Sequence, residues 1–463
     1  MTTRTALVTR LAAGAVTAVV IGGGVIAAAA APWPTLTREP MSLDVVPEAA
    51  RSVAACDGPL LALGRDATAA SAITSAASST VVAAADGAEP TEYTLAAPDR
   101  ADDGAPPAAF SAEPTGGRPT DLGAASAASL DEADLRGLAV SACTRPAMES
   151  WLIGGSAATG ASDLVLLTNP GDVAATVDLR VFGADGMQEP VAGQGIVVGA
   201  RSQRAVPLAA LRRGEQSPVV QVTAQGAPVR ASLQSTLTRT LIAGGVDQIG
   251  ASALPAPQQV IPAVNVTVAP DSGASAGGLS VRLMATAADA GASVTVRSVA
   301  DGGVVSQQDD IALTAGRPVE LEVTGMPVGD YTVTATADAP LVAAAWTSTD
   351  LAAPADFAWA VAAPLVEAPT LVAVAPAPAP TLTLTAERET VATVTPVSGG
   401  TPRTVELAAG QSRTIDVEAG TIYRVDPGAG GIRGSIGFSG DGQLGTYPVA
   451  GSAAAAAELT VYP

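Results

Sequence analysis

The sequence predicts an all-β protein of tandem Ig-like β-sandwich domains behind an N-terminal transmembrane helix. Three observations carry this reading. One β pattern recurs along the chain. Short runs alternate apolar and polar residues, as strands with one buried face do. A single uncharged apolar stretch from Leu11 to Ala31 stands near the N-terminus behind Arg4 and Arg10.

The first copy of the pattern alternates Val177, Leu179 and Val181, turns at Asp185-Gly186 and reaches Val198-Gly199. Its second copy runs Val294, Val296, Gly302-Gly303 and Leu313-Thr314-Ala315-Gly316, with the same spacing from Val177 to Gly199 as from Val294 to Gly316. A shorter third copy has Val394, Gly399-Gly400 and Leu407-Ala408-Ala409-Gly410. The second and third copies share a further strand, Tyr331-Thr332-Val333 and Tyr423-Arg424-Val425, and the equivalence of the two tyrosines points to packing. Repeats spaced by roughly 100 residues are tandem domains, because solenoid units are several times shorter.

As a helix, the run from Leu11 to Ala31 spans about 30 Å, the thickness of a bilayer's hydrocarbon. Positive charge ahead of it keeps that end cytoplasmic and sends the rest of the chain out. Its length favours a retained anchor with Trp33 at the outer interface, whereas Ala27 to Ala31 suits a peptidase, which would make the protein secreted. Cys56 and Cys143 fit an exported compartment as a candidate disulfide; the alternative is a pair of buried free thiols.

Composition excludes several functions. All 24 basic residues are Arg, His is absent, and the net charge is -20. The bias toward Ala and Arg and away from Lys and Asn reads as a GC-rich coding sequence. Without His, ordinary Ser-His-Asp triads and His-based zinc sites are ruled out. The negative charge argues against nucleic acid, which requires clustered cations. No cofactor, catalytic residue or metal ligand is expected.

The expected organisation is a cytoplasmic tip and anchor over 1–34, then an N-terminal β segment over 35–145 docked on the first repeat. Within that segment residues 97–122 read as an exposed acidic loop, and Ser129 with Glu132 resembles a capping box for one helical turn stopped at Gly137. The first repeat covers 146–249, the second 279–363 and the third 381–463. Pro255, Pro257 and Pro262 mark 250–278 as a linker, and Pro376, Pro378 and Pro380 mark 364–380 as a semi-rigid spacer.

Candidate chemistry is sparse. Gly273-Ala274-Ser275-Ala276-Gly277 matches a nucleophile elbow but lies in a Gly/Ser-rich linker with no His to take the proton. Asp309-Asp310 and Glu320 with Glu322 are the visible carboxylate pairs; on a strand the two glutamates share one face, read as solvated. Asn265-Val266-Thr267 is a glycosylation sequon by pattern alone. Aromatic platforms for sugar are few, and Trp151 and Trp346 are the candidate ligand-binding residues, with Trp346 and Trp359 in strand-like runs where a core role is the bland reading.

Trp151-Leu152-Ile153-Gly154-Gly155, then Leu164 to Gly171 and Ala175 to Leu179, resemble an exported actinobacterial family catalogued only as a domain of unknown function. Cys56-Asp57-Gly58-Pro59-Leu60 is similar to that family's Cys-Pro-Gly-Pro-Leu, with Asp57 in place of Pro. The resemblance implies an N-terminal membrane segment and, from genes lying near envelope glycosyltransferases, a cell-envelope role. It carries over no catalytic residue. The expected function is therefore a non-enzymatic, membrane-anchored envelope protein with a structural or interaction role and an envelope protein or polysaccharide as partner. An envelope polysaccharide-binding module is the alternative, and a carboxylate-dependent glycosidase the third.

Overall fold

The computed structural model describes residues 2–30, 43–45, 49–65, 68–239, 242–268, 278–350, 355–452 and 459–461. Trp33 and the Ser275 elbow fall outside them. The chain forms two compact units, residues 1–47 with 457–463 and residues 48–456. The first holds a helix over Thr2–Ala30 and an antiparallel pair in which Leu43–Val45 meets Leu459–Val461. Within the helix Val8–Ala27 is long and apolar enough to cross a membrane, as an anchor or a signal sequence would be.

The larger unit is built from antiparallel sheets. The first repeat has eight strand positions: Glu149–Ile153, Leu164–Asn169, Ala175–Gly183, Ile196–Val198, Ser202–Pro207, Val219–Gln225, Arg230–Arg239 and Ile242–Gly250, with a small extra strand, Gly186–Gln188, after the third. One sheet has the order 1-6-3-4 and the other 5-2-7-8. The third repeat reproduces both orders with Thr370–Ala373, Pro380–Ala386, Thr390–Pro396, Arg403–Leu407, Ser412–Asp416, Ile422–Asp426, Ile432–Gly440 and Gln443–Pro448. In the second repeat the strands are Ala256–Val266, Leu279–Ala285, Ala290–Ser298, Val304–Leu313, Val319–Val323, Gly329–Ser348 and Phe357–Val361. Here positions 6 and 7 merge: Gly329–Ser348 pairs in its first half with positions 1 and 3 and in its second half with positions 2 and 8. The 5-2 and 4-3-6 neighbours match the E-B and C′-C-F neighbours of immunoglobulin sandwiches, while positions 1 and 7 lie beside 6 and 2.

Tyr331 and Tyr423 open position 6 in their repeats and are buried. The Tyr331 hydroxyl donates to the Pro327 carbonyl at 2.8 Å, and the Tyr423 hydroxyl accepts from the Glu418 amide at 2.9 Å. Each ties its strand back to the turn before it, as the tyrosine corner of Greek-key sandwiches does.

Strands run through both expected linkers. Ala256–Val266 is the first strand of the second repeat, and Thr370–Ala373 is the first strand of the third. Position 1 is a sheet edge, where a missing N–H is tolerated, and Pro262 falls where the register slips between Ile261 and Val264. Ala375 and Ala377, expected in a polyproline spacer, are buried against the third repeat. The helical turn expected at Ser129 is also replaced by strand: Leu122–Asp131 pairs with Arg136–Cys143, placing Ser129 opposite Leu138. The unbroken run of small residues from Gly123 to Ala128 is buried throughout, which suits a closely packed sheet better than one isolated turn.

The N-terminal β segment contributes the three-stranded sheets Ser52–Ala55/Ala108–Ala112/Thr91–Thr94 and Thr80–Ala85/Leu122–Asp131/Arg136–Cys143, plus the pair Leu60–Leu63/Ile73–Ala77. It docks on the first repeat, where the Gln234 amide donates to the Leu61 carbonyl at 2.7 Å and accepts from the Leu61 amide at 2.9 Å. It also docks on the third, where Leu138 and Val140 enter the core and Asp121 accepts from the Leu371 amide at 2.6 Å. The four parts thus close into a ring. At its centre Arg136–Cys143, Ile242–Gly250, Phe357–Val361 and Gln443–Pro448, the last strand of each part, pack in a cycle. Asp356 pins this junction, accepting at Oδ2 from the amides of Leu138 at 3.0 Å and Leu444 at 3.1 Å. Gly137 and Gly445 allow the approach: a Cβ on Gly137 would collide with Asp356 and one on Gly445 with Val140.

Candidate functional site

Residues Leu279, Val281, Leu283 and Ala285 point into the second repeat, which leaves Ser280, Arg282 and Met284 on the outer face of that strand. That face is covered, since Met284, Val342, Ala344, Phe357, Trp359 and Val361 are buried in the core of the first repeat. Fully burying each large apolar side chain contributes about 1.5–3 kcal/mol. At the edge of this joint the two repeats part, leaving a cleft of about 420 Å³.

Strand register builds the cleft's floor. Glu322 lies opposite Ser280, Ser280 opposite Trp346, and Trp346 opposite Trp359, so the four form one row across the sheet. The next row brings Glu320 beside Arg282. Arg282 is only 2% exposed. Its Nη1 donates to the carbonyls of Gly155 and Pro218, both at 3.0 Å, and its Nη2 to Glu320 at 3.1 Å. The guanidinium carbon stands 4.5 Å from the centroid of the Trp359 ring. Burial pulls the Arg282 pKa down, and Glu320 opposes that pull.

Glu320 also accepts from the hydroxyls of Ser217 and Ser280. Burial alone would raise its pKa, but Arg282 and these hydrogen bonds hold it below the ordinary glutamate value. Behind the opposite wall, buried Asp163 accepts from the amides of Ser156 at 2.7 Å and Thr236 at 2.9 Å and from the Ser235 hydroxyl at 3.1 Å. Burial nevertheless pushes its pKa up to about 7. Thr236, nine-tenths buried in the cleft lining, has a hydroxyl without a hydrogen-bond partner. It stands at a break in strand register, where the bulge shapes that wall.

Of the two aromatic residues expected to bind ligand, the structure places only Trp346 in the cleft, half-buried and 6.4 Å from Phe357. Trp151 is 4% exposed in the first repeat's core, stacked on Phe182 at 5.6 Å with its indole N–H bonded to Glu149. It offers no face to a ligand, because its ring lies against Phe182 and neighbouring residues cover the strand face it shares with Ile153. Glu320 and Glu322, read as a wet face, are exposed and line the cleft, whereas Asp309 and Asp310 lie apart on the exposed strand Val304–Leu313. Asn265 of the sequon is buried and bonded to Asp330 at 2.6 Å. Cys56 and Cys143 are joined in a disulfide. Among the described residues no group of three or more Cys, Asp or Glu is placed to hold a metal ion. Sequence reasoning missed Arg282, whose signal was a lone cation inside the otherwise uncharged strand Leu279–Ala285.

The molecule is thus an all-β protein of linked sandwiches with an N-terminal apolar helix and a polar, tryptophan-lined cleft between its first two repeats. The chain belongs to a family of unknown function, DUF5719, whose model matches residues 95–427. No curated protein matches it.

Proposed function

We propose that this chain is an extracytoplasmic, membrane-tethered protein of the cell envelope that binds or scaffolds and does not turn over substrate. The carrying observation is the disulfide between Cys56 and Cys143, buried downstream of the apolar helix Val8–Ala27. Disulfides persist where the compartment is oxidising, which for a chain led by such a helix is the far side of the membrane. The cleft supports binding over turnover. Glu320 is held ionised by Arg282 and has no proton to donate at neutral pH. Asp163, the acid with a raised pKa, has both oxygens taken by the wall behind the cleft.

The test uses the full-length chain. A C-terminal reporter that folds only outside the cytoplasm should be active in cells, and the chain in lipid nanodiscs should release no product from envelope glycans or peptides. A cytoplasmic C-terminal body, or measurable hydrolysis, would overturn the proposal.

A further inference from the structure

We infer that the cleft between the first and second repeats binds a neutral pyranose ring of a saccharide, stacked on Trp346 and hydrogen-bonded by Glu322. This names a ligand class for the extracytoplasmic binding role proposed above and rests on it.

The geometry is that of a trough. Neighbouring strands lie about 4.8 Å apart, so Glu322 and Trp346, two strands apart in one row, stand about 10 Å from each other. The small Ser280 lies between them and is turned toward Glu320. A flat ligand of one-ring thickness can therefore rest above Ser280, with an indole on one side and a carboxylate on the other. The cavity's 420 Å³ falls within the usual range for small-molecule sites, about 300–1,000 Å³. Its lining mixes aromatic faces with hydroxyl and amide groups, among them Gln216 and the unpartnered Thr236 hydroxyl. Sugars present this same combination, apolar C–H faces ringed by hydroxyls, and indole supplies both an apolar face and large contact area.

Charge argues for a neutral ligand. A cation seated over an aromatic ring is the obvious competitor. The position over Trp359 is already taken by Arg282, and Glu320 is neutralised by that same arginine. An anion would meet Glu322, while the hydrogen bonds of the Arg282 Nη1 and Nη2 groups run to protein acceptors. Because Arg282, Glu320, Ser217 and Ser280 hold one another, the floor is fixed before any ligand arrives.

Full-length protein in nanodiscs would be applied to an array of neutral hexopyranose oligosaccharides, with pentofuranose and uronic acid oligosaccharides as the other arms, and hits titrated by calorimetry. The expected result is binding to hexopyranosides, weakened at least tenfold by Trp346→Ala and by Glu322→Gln, partly restored by Trp346→Phe and unchanged by the core substitution Trp151→Phe. No hexopyranoside binding, preference for uronates or furanosides, or indifference to both cleft substitutions in folded protein would overturn the inference. Cleavage of a bound saccharide would support the site while defeating the non-catalytic role. Failure of binding in an extracytoplasmic, non-hydrolytic protein would defeat the site alone.

Discussion

Arg230 of the first repeat reaches across to Asp57 of the N-terminal segment and meets both carboxylate oxygens, Nη2 lying 2.9 Å from Oδ2, with neither side chain more than 2% exposed. Ser232 adds a bond to the same carboxylate, and Arg230 also donates to the Ala142 carbonyl at 3.0 Å and to Thr144 at 3.1 Å. Burial by itself would raise the Asp57 pKa, but Arg230 and its companions bring it below the ordinary value. Removing one partner from such a pair leaves a buried, uncompensated charge, at a cost of about 3–5 kcal/mol. Asp57→Ala is therefore expected to destabilise the protein by that amount in denaturant titrations. Asp57→Ala with Arg230→Met should be less damaging than the sum of the single changes, and strict additivity would refute the coupling.

The outer face of the second repeat predicts cooperativity. Met284, Val342 and Phe357 are buried in the core of the first repeat, so the two cannot part without wetting them. Residues 49–452 are expected to unfold in a single transition, with calorimetric and van't Hoff enthalpies in agreement. Met284→Asp, which buries a lone charge in that joint, should cost more than about 3 kcal/mol and separate the transition into steps. Two transitions in the wild-type protein would show that the joint is weaker than its burial implies.

Gly137 adopts φ +129, in the left-handed half of backbone space, and a Cβ there would strike Asp356 and come within 2.9 Å of the Val246 amide. Non-glycine residues in such conformations cost about 1–3 kcal/mol even without a clash. Gly137→Ala is expected to lower stability by about 2 kcal/mol or more and to speed amide exchange at Leu138 and Leu444, the two donors to Asp356. Unchanged exchange at those amides would mean that the junction tolerates the methyl group.

How much of this was legible in sequence depended on the range of the interaction. Alternation in Val177, Leu179 and Val181 exposed the strands because periodicity is local, and the two tyrosines repeated because each bonds its own turn. Pro257 and Pro262 misled, because an edge strand with a bulge accepts prolines that a central strand would reject. The cleft was hidden for a different reason. Trp346, Arg282 and Glu322 come together only when strands distant in sequence pair and a second repeat closes over them, and no local pattern records which outer face will be covered. Leu279–Ala285 did carry a hint, since a strand whose residues are all buried has a partner on each side.

Buried acids make stability fall with rising pH. Burial pushes Asp356 up to about 7 against its backbone hydrogen bonds, and Asp163 likewise to about 7. Asp247 is driven well up by burial and also by the charge of Asp356, and each of these two junction acids leaves one oxygen without a partner. In the unfolded chain such carboxyls titrate near 3.9. Between about pH 4 and 7 the folded protein therefore holds more protons than the unfolded chain, so its stability decreases as pH rises. The contribution is fully present below the unfolded value and lost as pH passes the folded one, with a slope of at most about 1.4 kcal/mol per pH unit for each group. Asp57 works in the opposite sense, but its lowered pKa confines that effect to more acidic solution. The melting temperature is expected to be higher at about pH 5 than at about pH 8. Asp356→Asn keeps an oxygen to accept from Leu138 and Leu444 while removing the charge, so it should flatten the profile and raise the melting temperature at about pH 8. A wild-type protein most stable at about pH 8, or a variant with an unaltered profile, would show that these acids are solvated or paired by means other than the strands around them.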